Sequence, residues 1–191
     1  ENGGFNQKQK FPPHNTLLFL LSRYAITPNE DLKGVIENTL SAMMNRGLHD
    51  HLQGGFYRYC VDQAWTIPHF EKMLYDQAML LWVYSLAYKQ FKNKTYLQVV
   101  ERIYKSLEET FKSGKLYISA HDADTDHVEG DTYVWEADEL QELFSEEEFK
   151  IFCERYEILE GSNFEGKIHL IQKGEFVADE LEDKLLAVRK H

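Results

Sequence analysis

The sequence predicts a mainly all-α fold built from helical hairpins that curl toward an α/α toroid. Three observations lead there. Apolar residues recur at helical spacing through most of Asn15 to Phe111. The order helix, short turn, helix, long polar loop occurs twice. Gly3-Gly4-Phe5 precedes the first helix pair as Gly54-Gly55-Phe56 precedes the second, about 51 residues later, a weak repeat of one hairpin unit. In such a stack the loops at one end collect into a single pocket.

Each element has its own signal. Asn15 to Ala25 is apolar nearly all round, as for a helix buried on most faces. After a break at Pro28-Asn29, a second helix spans Glu30 to Asn45, with Leu32, Val35, Ile36, Leu40 and Met43/Met44 on one stripe and Gly47 as its C′ residue. Pro68 is a favourable first helical position, so a third helix is expected from there to Asn93. A fourth runs from Thr95 to Phe111 and stops at Gly114. Lys115 to Trp135 reads as short strands around an acidic loop. Two short helices follow, Glu136 to Phe144 and Glu146 to Tyr156, the second with a capping box from Ser145 and Glu148. Ile168 to Gln172 is a small strand and Ala178 to Lys190 a last helix.

Bulk properties exclude several functions. With 191 residues and 43% hydrophobic content the chain suits one domain, read as residues 1–191. The net charge of −11 argues against nucleic acid and against anionic membrane surfaces. Cys60 and Cys153 form no metal-ligand spacing and read as reduced thiols of a cytoplasmic protein. No signal peptide is seen, and the opening Glu1-Asn2-Gly3-Gly4 suggests that something upstream was removed. There is no P-loop, no G-x-G-x-x-G and no G-x-S-x-G, and Gly161 to Gly166 has the wrong spacing to cradle phosphate.

Gly54 to Gln77 carries the densest chemistry, mixing aromatic and ionisable residues as a pocket against flat ligands would. If Phe56 to Asp62 is extended, Phe56, Arg58, Cys60 and Asp62 share one face and Tyr57, Tyr59 and Val61 the other. Arg58 and Asp62 could then pair or bind hydroxyls. A third helix from Pro68 would put His69 and Asp76 two turns apart on one face. A helix N-terminus disfavours a charged imidazole, so His69 would be a neutral base. The loop His121 to Gly130 offers Asp122, Asp124 and Glu129, but has His127 and Tyr133 where an EF-hand needs Gly and Glu. A looser oxygen-ligand site, a solvated acidic loop and a pocket edge remain as alternatives. His49-Asp50-His51 lacks a third metal ligand, and no resident metal or cofactor is expected. Against each functional reading stands plain packing of loops over helix ends.

Gly54-Gly55-Phe56, Arg58-Tyr59, Val61-Asp62, Trp65 and above all Pro68-His69-Phe70-Glu71-Lys72-Met73-Leu74-Tyr75-Asp76-Gln77-Ala78 resemble the hallmark of the DUF255 family, the thioredoxin domain-containing proteins of the spermatogenesis-associated protein 20 and YyaL-like group. Gly3-Gly4-Phe5, Lys10-Phe11-Pro12, Asp122-Ala123-Asp124, Glu129-Gly130, Tyr133-Val134-Trp135 and Asn163-Phe164-Glu165-Gly166 extend the resemblance to about residue 170. It implies a thioredoxin-like domain followed by an (α/α)6 toroid similar to six-hairpin glycosidases and N-acylglucosamine 2-epimerases. The thioredoxin-like part has no counterpart here, and about seven helices are first-half material for a ring of twelve.

Two functions are therefore expected. One is a carbohydrate-active domain or its relic, a sugar isomerase, epimerase or glycoside-processing enzyme. His69, Glu71, Asp62, Asp76, Asp122 and Asp124 would be its acid–base groups. Arg58, Tyr59, Trp65, Glu129, Tyr133 and Trp135 would hold a sugar-like small molecule. The other is a non-catalytic scaffold that self-associates or docks the missing domain.

Overall fold

The computed structural model describes residues 2–157, 164–174 and 180–189. Two helical hairpins form its frame, α1 (His14–Ile26) with α2 (Glu30–Asn45), and α3 (Leu74–Phe91) with α4 (Lys94–Ser106), the last running into a π-helical turn at Leu107–Phe111. α1 packs on α2 and α3, and α3 on α4. α1 and α3 are apolar on most faces, whereas α4 is strongly amphipathic and buries Tyr96, Val99 and Ile103. Each such side chain taken from water contributes ~1.5–3 kcal/mol. Asn29 caps α2 by accepting from the Leu32 N–H at 2.9 Å, and Asn93 caps α4 through the Thr95 N–H at 3.0 Å.

The principal correction concerns Pro68. It does not begin a helix. Between the hairpins lie three two-residue strands, β1 (Tyr59–Cys60), β2 (Pro68–His69) and β3 (Lys72–Met73). β1 pairs antiparallel with β2, Tyr59 opposite His69. β3 pairs with β6 (Ala120–His121), Lys72 opposite His121. The Arg58 N–H donates to Glu71 O at 2.8 Å and the Leu74 N–H to Ser119 O at 2.9 Å. Backbone groups bound across the chain cannot also form helical turns, so α3 begins at Leu74. From Pro68 to Met73 burial alternates strictly: Pro68, Phe70 and Lys72 point in, while His69, Glu71 and Met73 point out.

Gly47 is also not the left-handed terminator the sequence suggests. A Cβ there would stand 1.9 Å from Thr66 O, so glycine is needed for close approach of the 62–67 turn.

After α4 the chain forms small antiparallel pairs. β4 (Lys112–Ser113) meets β5 (Leu116–Tyr117), and β7 (Asp124–Thr125) meets β8 (Val128–Glu129). β9 (Val134–Trp135) pairs with β10 (Ile168–His169). α5 (Ala137–Leu143), α6 (Glu146–Arg155) and α7 (Glu180–Val188) complete the described chain. The Ser145–Glu148 capping box is formed. Residues 161–163 of the Gly161 to Gly166 segment and the ends of the expected last helix lie outside the described residues.

Three apolar clusters hold these parts. The largest joins the two hairpins around Leu17, Leu40, Trp65 and Tyr84. A second gathers Trp135, Leu140, Phe152 and Leu185. A third joins Tyr57, Phe70 and Tyr133, with the ring of His169 against both Tyr57 and Phe70. No described helix is long and apolar enough to cross a membrane.

Candidate functional site

The strict alternation of Pro68–Met73 sorts the chemistry onto two sides. On the outward side, His69 Nδ1 lies 2.7 Å from Glu129 Oε1, delivered by β8. His69 Nε2 lies 3.9 Å from Glu71 Oε2, and that oxygen accepts from Arg58 Nη1 at 2.7 Å. Tyr59, opposite His69 in the ladder, stacks on its ring at 5.2 Å, and Phe11 stacks on Tyr59 at 4.6 Å. The imidazole is about one-third exposed, so solvent and ligands reach it.

A carboxylate only accepts, so Nδ1 carries the proton that it donates to Glu129. In the neutral ring Nε2 keeps its lone pair and can take a proton from a bound molecule, while Glu129 and Glu71 stabilise the imidazolium that forms. Arg58 fixes Glu71 and offers further donors to hydroxyl groups.

Asp76 lies just behind. It is buried in the first turn of α3, and its Oδ1 is 3.1 Å from His14 Nε2. Burial raises its carboxyl above the usual range, and the neighbouring Glu71 charge adds to this against His14 and Arg58. Asp76 and His69 do not share a helix face.

On the inward side, Lys72 borders a cavity of about 400 Å³ together with His121, Asp122, Asp124 and Tyr133. Asp122 Oδ1 accepts from the Asp124 N–H at 3.2 Å, a local turn. Burial lowers the His121 pKa, and burial with the nearby Asp50 charge pushes the Tyr133 phenol up to about 12. Among the described residues no group of three or more His, Cys, Asp or Glu side chains is placed to hold a metal ion.

Behind that cavity sits a buried ion cluster. Asp50 Oδ2 accepts from Lys72 Nζ at 2.7 Å and from Arg189 Nη1 at 2.8 Å. Asp50 Oδ1 accepts from the Leu52 and Gln53 N–H groups at 3.0 and 3.1 Å. Burial alone would raise the Asp50 carboxyl, but the Arg189 and Lys72 charges outweigh it and hold the pKa well below the usual range. The Lys72 ammonium also faces the rings of Tyr57 and Tyr133, at 5.2 and 5.1 Å.

Of the residues read from sequence, the fold thus brings His69, Glu71, Glu129, Arg58 and Tyr59 together, with Asp76 adjacent. Asp122, Asp124 and Tyr133 line the separate inner cavity. Asp62 does not pair with Arg58: its carboxylate closes the 62–67 turn, accepting from the N–H groups of Ala64, Thr66 and Ile67. Trp65 is fully enclosed, with its indole N–H donating to Asn2 O at 2.9 Å, so it cannot touch a ligand. Trp135 is buried in the second core, at the edge of a different cavity of about 370 Å³. The two-face reading of Phe56–Asp62 holds for Phe56 and Cys60 against Tyr57, which are buried in different clusters, but not for Arg58 and Tyr59, which both reach the outward cluster.

Phe11, Lys72, Asp50 and Arg189 make contacts that the sequence reading did not assign. A period-two reading of Pro68–Met73 would have found Lys72 facing inward. Asp50 and Arg189 left no local sign, since they meet 139 positions apart.

No family model matches the chain. An uncharacterized protein of Caenorhabditis elegans is 34% identical over 182 residues, taking in 84% of this chain and 25% of the relative. Spermatogenesis-associated protein 20 of Mus musculus is 39% identical over 158 residues, 76% of this chain and 20% of the relative, and its Homo sapiens counterpart gives the same figures. The chain therefore spans a fifth to a quarter of the length of these relatives. Among solved structures, a sugar epimerase from a ruminal bacterium superposes with a TM-score of 0.58 at 21% identity, covering 64% of this chain and 34% of that one. Cellobiose 2-epimerase from Bacillus thermoamylovorans gives 0.57 at 18%, covering 64% and 35%. The chain is accordingly a partial α/α toroid of the six-hairpin glycosidase-like type, similar over three quarters of its length to a segment of spermatogenesis-associated protein 20.

Proposed function

We propose that this chain is the sugar-handling part of a DUF255-type toroid, acting in proton transfer to and from a carbohydrate. The observation behind the reading is the outward cluster: one imidazole between two carboxylates, with Nδ1 held by Glu129, beside stacked aromatic rings and an arginine. Isomerisation and epimerisation both require a proton to leave a carbon next to a carbonyl and return, and an imidazole positioned this way does both. Flat rings suit the apolar faces of pyranoses, and Arg58 suits their hydroxyls. The likeness to sugar epimerases in fold agrees with this reading.

Incubating the chain in D2O with a panel of aldoses and disaccharides, and following deuterium entry beside the carbonyl by NMR, tests it whichever sugar is formed. Exchange on at least one sugar is expected, with H69Q losing 100-fold or more, roughly the worth of one general base. Exchange that is undiminished in H69Q, or the absence of both exchange and binding across the panel, would end the proposal.

A second reading, a scaffold that docks a partner or self-associates, is favoured by the apolar groups left open on α1 and α3, where Phe19 is 61% and Trp82 56% exposed. Sedimentation of the chain alone tests it: a monomer at all concentrations counts against self-association.

A further inference from the structure

We infer that the cavity beside Trp135 is a second binding site, separate from His69, and that it takes an arginine, free or as a residue of a peptide.

The cavity, of about 370 Å³, lies between α5, the 131–136 segment and the end of α7. Such a volume is near the lower end for small-ligand pockets. No residue of the outward cluster lines it.

Two buried donors in its lining lack an acceptor. Trp135 is 3% exposed, and its indole N–H meets no acceptor among the described residues. An indole N–H can only donate, and a buried one usually finds a partner. Trp65, equally enclosed, donates to Asn2 O at 2.9 Å. Arg189 is 5% exposed. Its Nη1 donates to both Asp50 oxygens, at 2.9 and 2.8 Å, but its Nε–H also meets no acceptor. Two such donors lining one cavity call for an oxygen from a ligand.

The α5 side has the opposite need. Asp138, Glu139 and Glu142 are exposed and line the cavity from one face of that helix. The cations of the lining do not neutralise them. Lys167 Nζ lies 2.9 Å from Asp131 and 3.6 Å from Glu136, and Arg189 is turned to Asp50. The helix dipole accounts for Asp138 and Glu139 in the first turn, but it opposes Glu142 in the last. Like charges four positions apart on a helix also repel. A bound cation relieves both.

A ligand that meets both needs carries an acceptor oxygen and a cation in one short unit. A polyamine lacks the oxygen. An anion meets three carboxylates, and a neutral sugar offsets no charge. Arginine has both parts. Its carbonyl or carboxylate oxygen accepts from Trp135 and Arg189, and its guanidinium, a planar fork of five N–H donors, faces the carboxylates of α5.

The test is an NMR titration of the chain that follows the Trp135 indole N–H, assigned by its disappearance in W135F. The probes are L-arginine, N-acetyl-L-arginine amide and agmatine, which keeps the guanidinium but has no carboxyl or carbonyl oxygen. At least one arginine form should shift the indole signal to saturation. Agmatine should bind about 3- to 10-fold more weakly, the worth of one hydrogen bond. Equal or tighter binding of the amide identifies a peptide residue as the source; tighter binding of the free form identifies the free amino acid. E139Q/E142Q changes only exposed positions. It should leave the circular-dichroism melt unchanged and weaken arginine by roughly 2- to 5-fold. An indole signal that neither arginine form moves would overturn the inference. So would agmatine that binds as tightly as arginine, or arginine binding undiminished in E139Q/E142Q. None of these outcomes bears on His69.

Discussion

Replacing Asp50 by asparagine removes one charge from a cluster in which Asp50, Lys72 and Arg189 are all almost wholly buried. In the native chain a single carboxylate holds two cations, at 2.7 and 2.8 Å. Asparagine preserves the volume and can keep the Oδ1 contacts to the Leu52 and Gln53 N–H groups. It keeps one of the two Arg189 contacts through Oδ1, at 2.9 Å, but loses the Oδ2 side, where its amide donors would meet the Lys72 ammonium and the Arg189 guanidinium. Two like charges would then face each other without water. Breaking a buried pair in this way costs about 3–5 kcal/mol. For a chain of this size that corresponds to a fall in Tm of roughly 6–20 °C. Circular-dichroism melts and urea unfolding of D50N measure it. The further variant D50N/K72M, which removes one of the orphaned cations, should recover part of the loss, since an apolar isostere leaves less charge unpaired. A D50N loss below about 1 kcal/mol, or a double variant weaker than D50N, would refute the claim that this carboxylate organises the cluster.

Acid should unfold the protein through its buried histidines. Burial drives His51 down to about 3 and His169 down to about 4, while the unfolded chain titrates near 6.5. Below pH 6.5 the unfolded state therefore binds protons that the folded state refuses, so stability falls as pH falls toward 4. The two together remove about 2–3 kcal/mol between pH 6 and 5, and His49, also held well below its ordinary value by burial, acts in the same direction. Urea midpoints across that range, unchanged, would contradict this. G130A should lift β7–β8 away: φ is +73° there, and a Cβ would lie 2.6 Å from the Phe70 ring. A loss of ~1–3 kcal/mol from overpacking, together with separation of Glu129 from His69 seen in the imidazole shifts, is expected.

The helical frame was legible because it rests on local periodicity and on caps. Glu30–Asn45 is a helix with the bounds its pattern and Asn29 predict, and Ser145 with Glu148 caps α6 as read. Pro68 misled because its stereochemistry suits a first helical turn and an extended strand equally well. What decides between them is a partner, and Tyr59–Cys60 and Ala120–His121 come from elsewhere in the chain. The aromatic residues were legible as a class but not by role. Trp65 and Tyr59 are six positions apart, yet Trp65 fills the core and Tyr59 faces the site.

By itself, then, the sequence determined the helical hairpins, since these depend on spacing within one stretch of chain, while the toroid class came with the resemblance to a known family. Tertiary structure alone decided which ionisable groups meet. Glu129 reaches His69 across 60 positions, and Arg189 reaches Asp50 across 139. Charge pairing acts through space, and separation along the chain carries no trace of it.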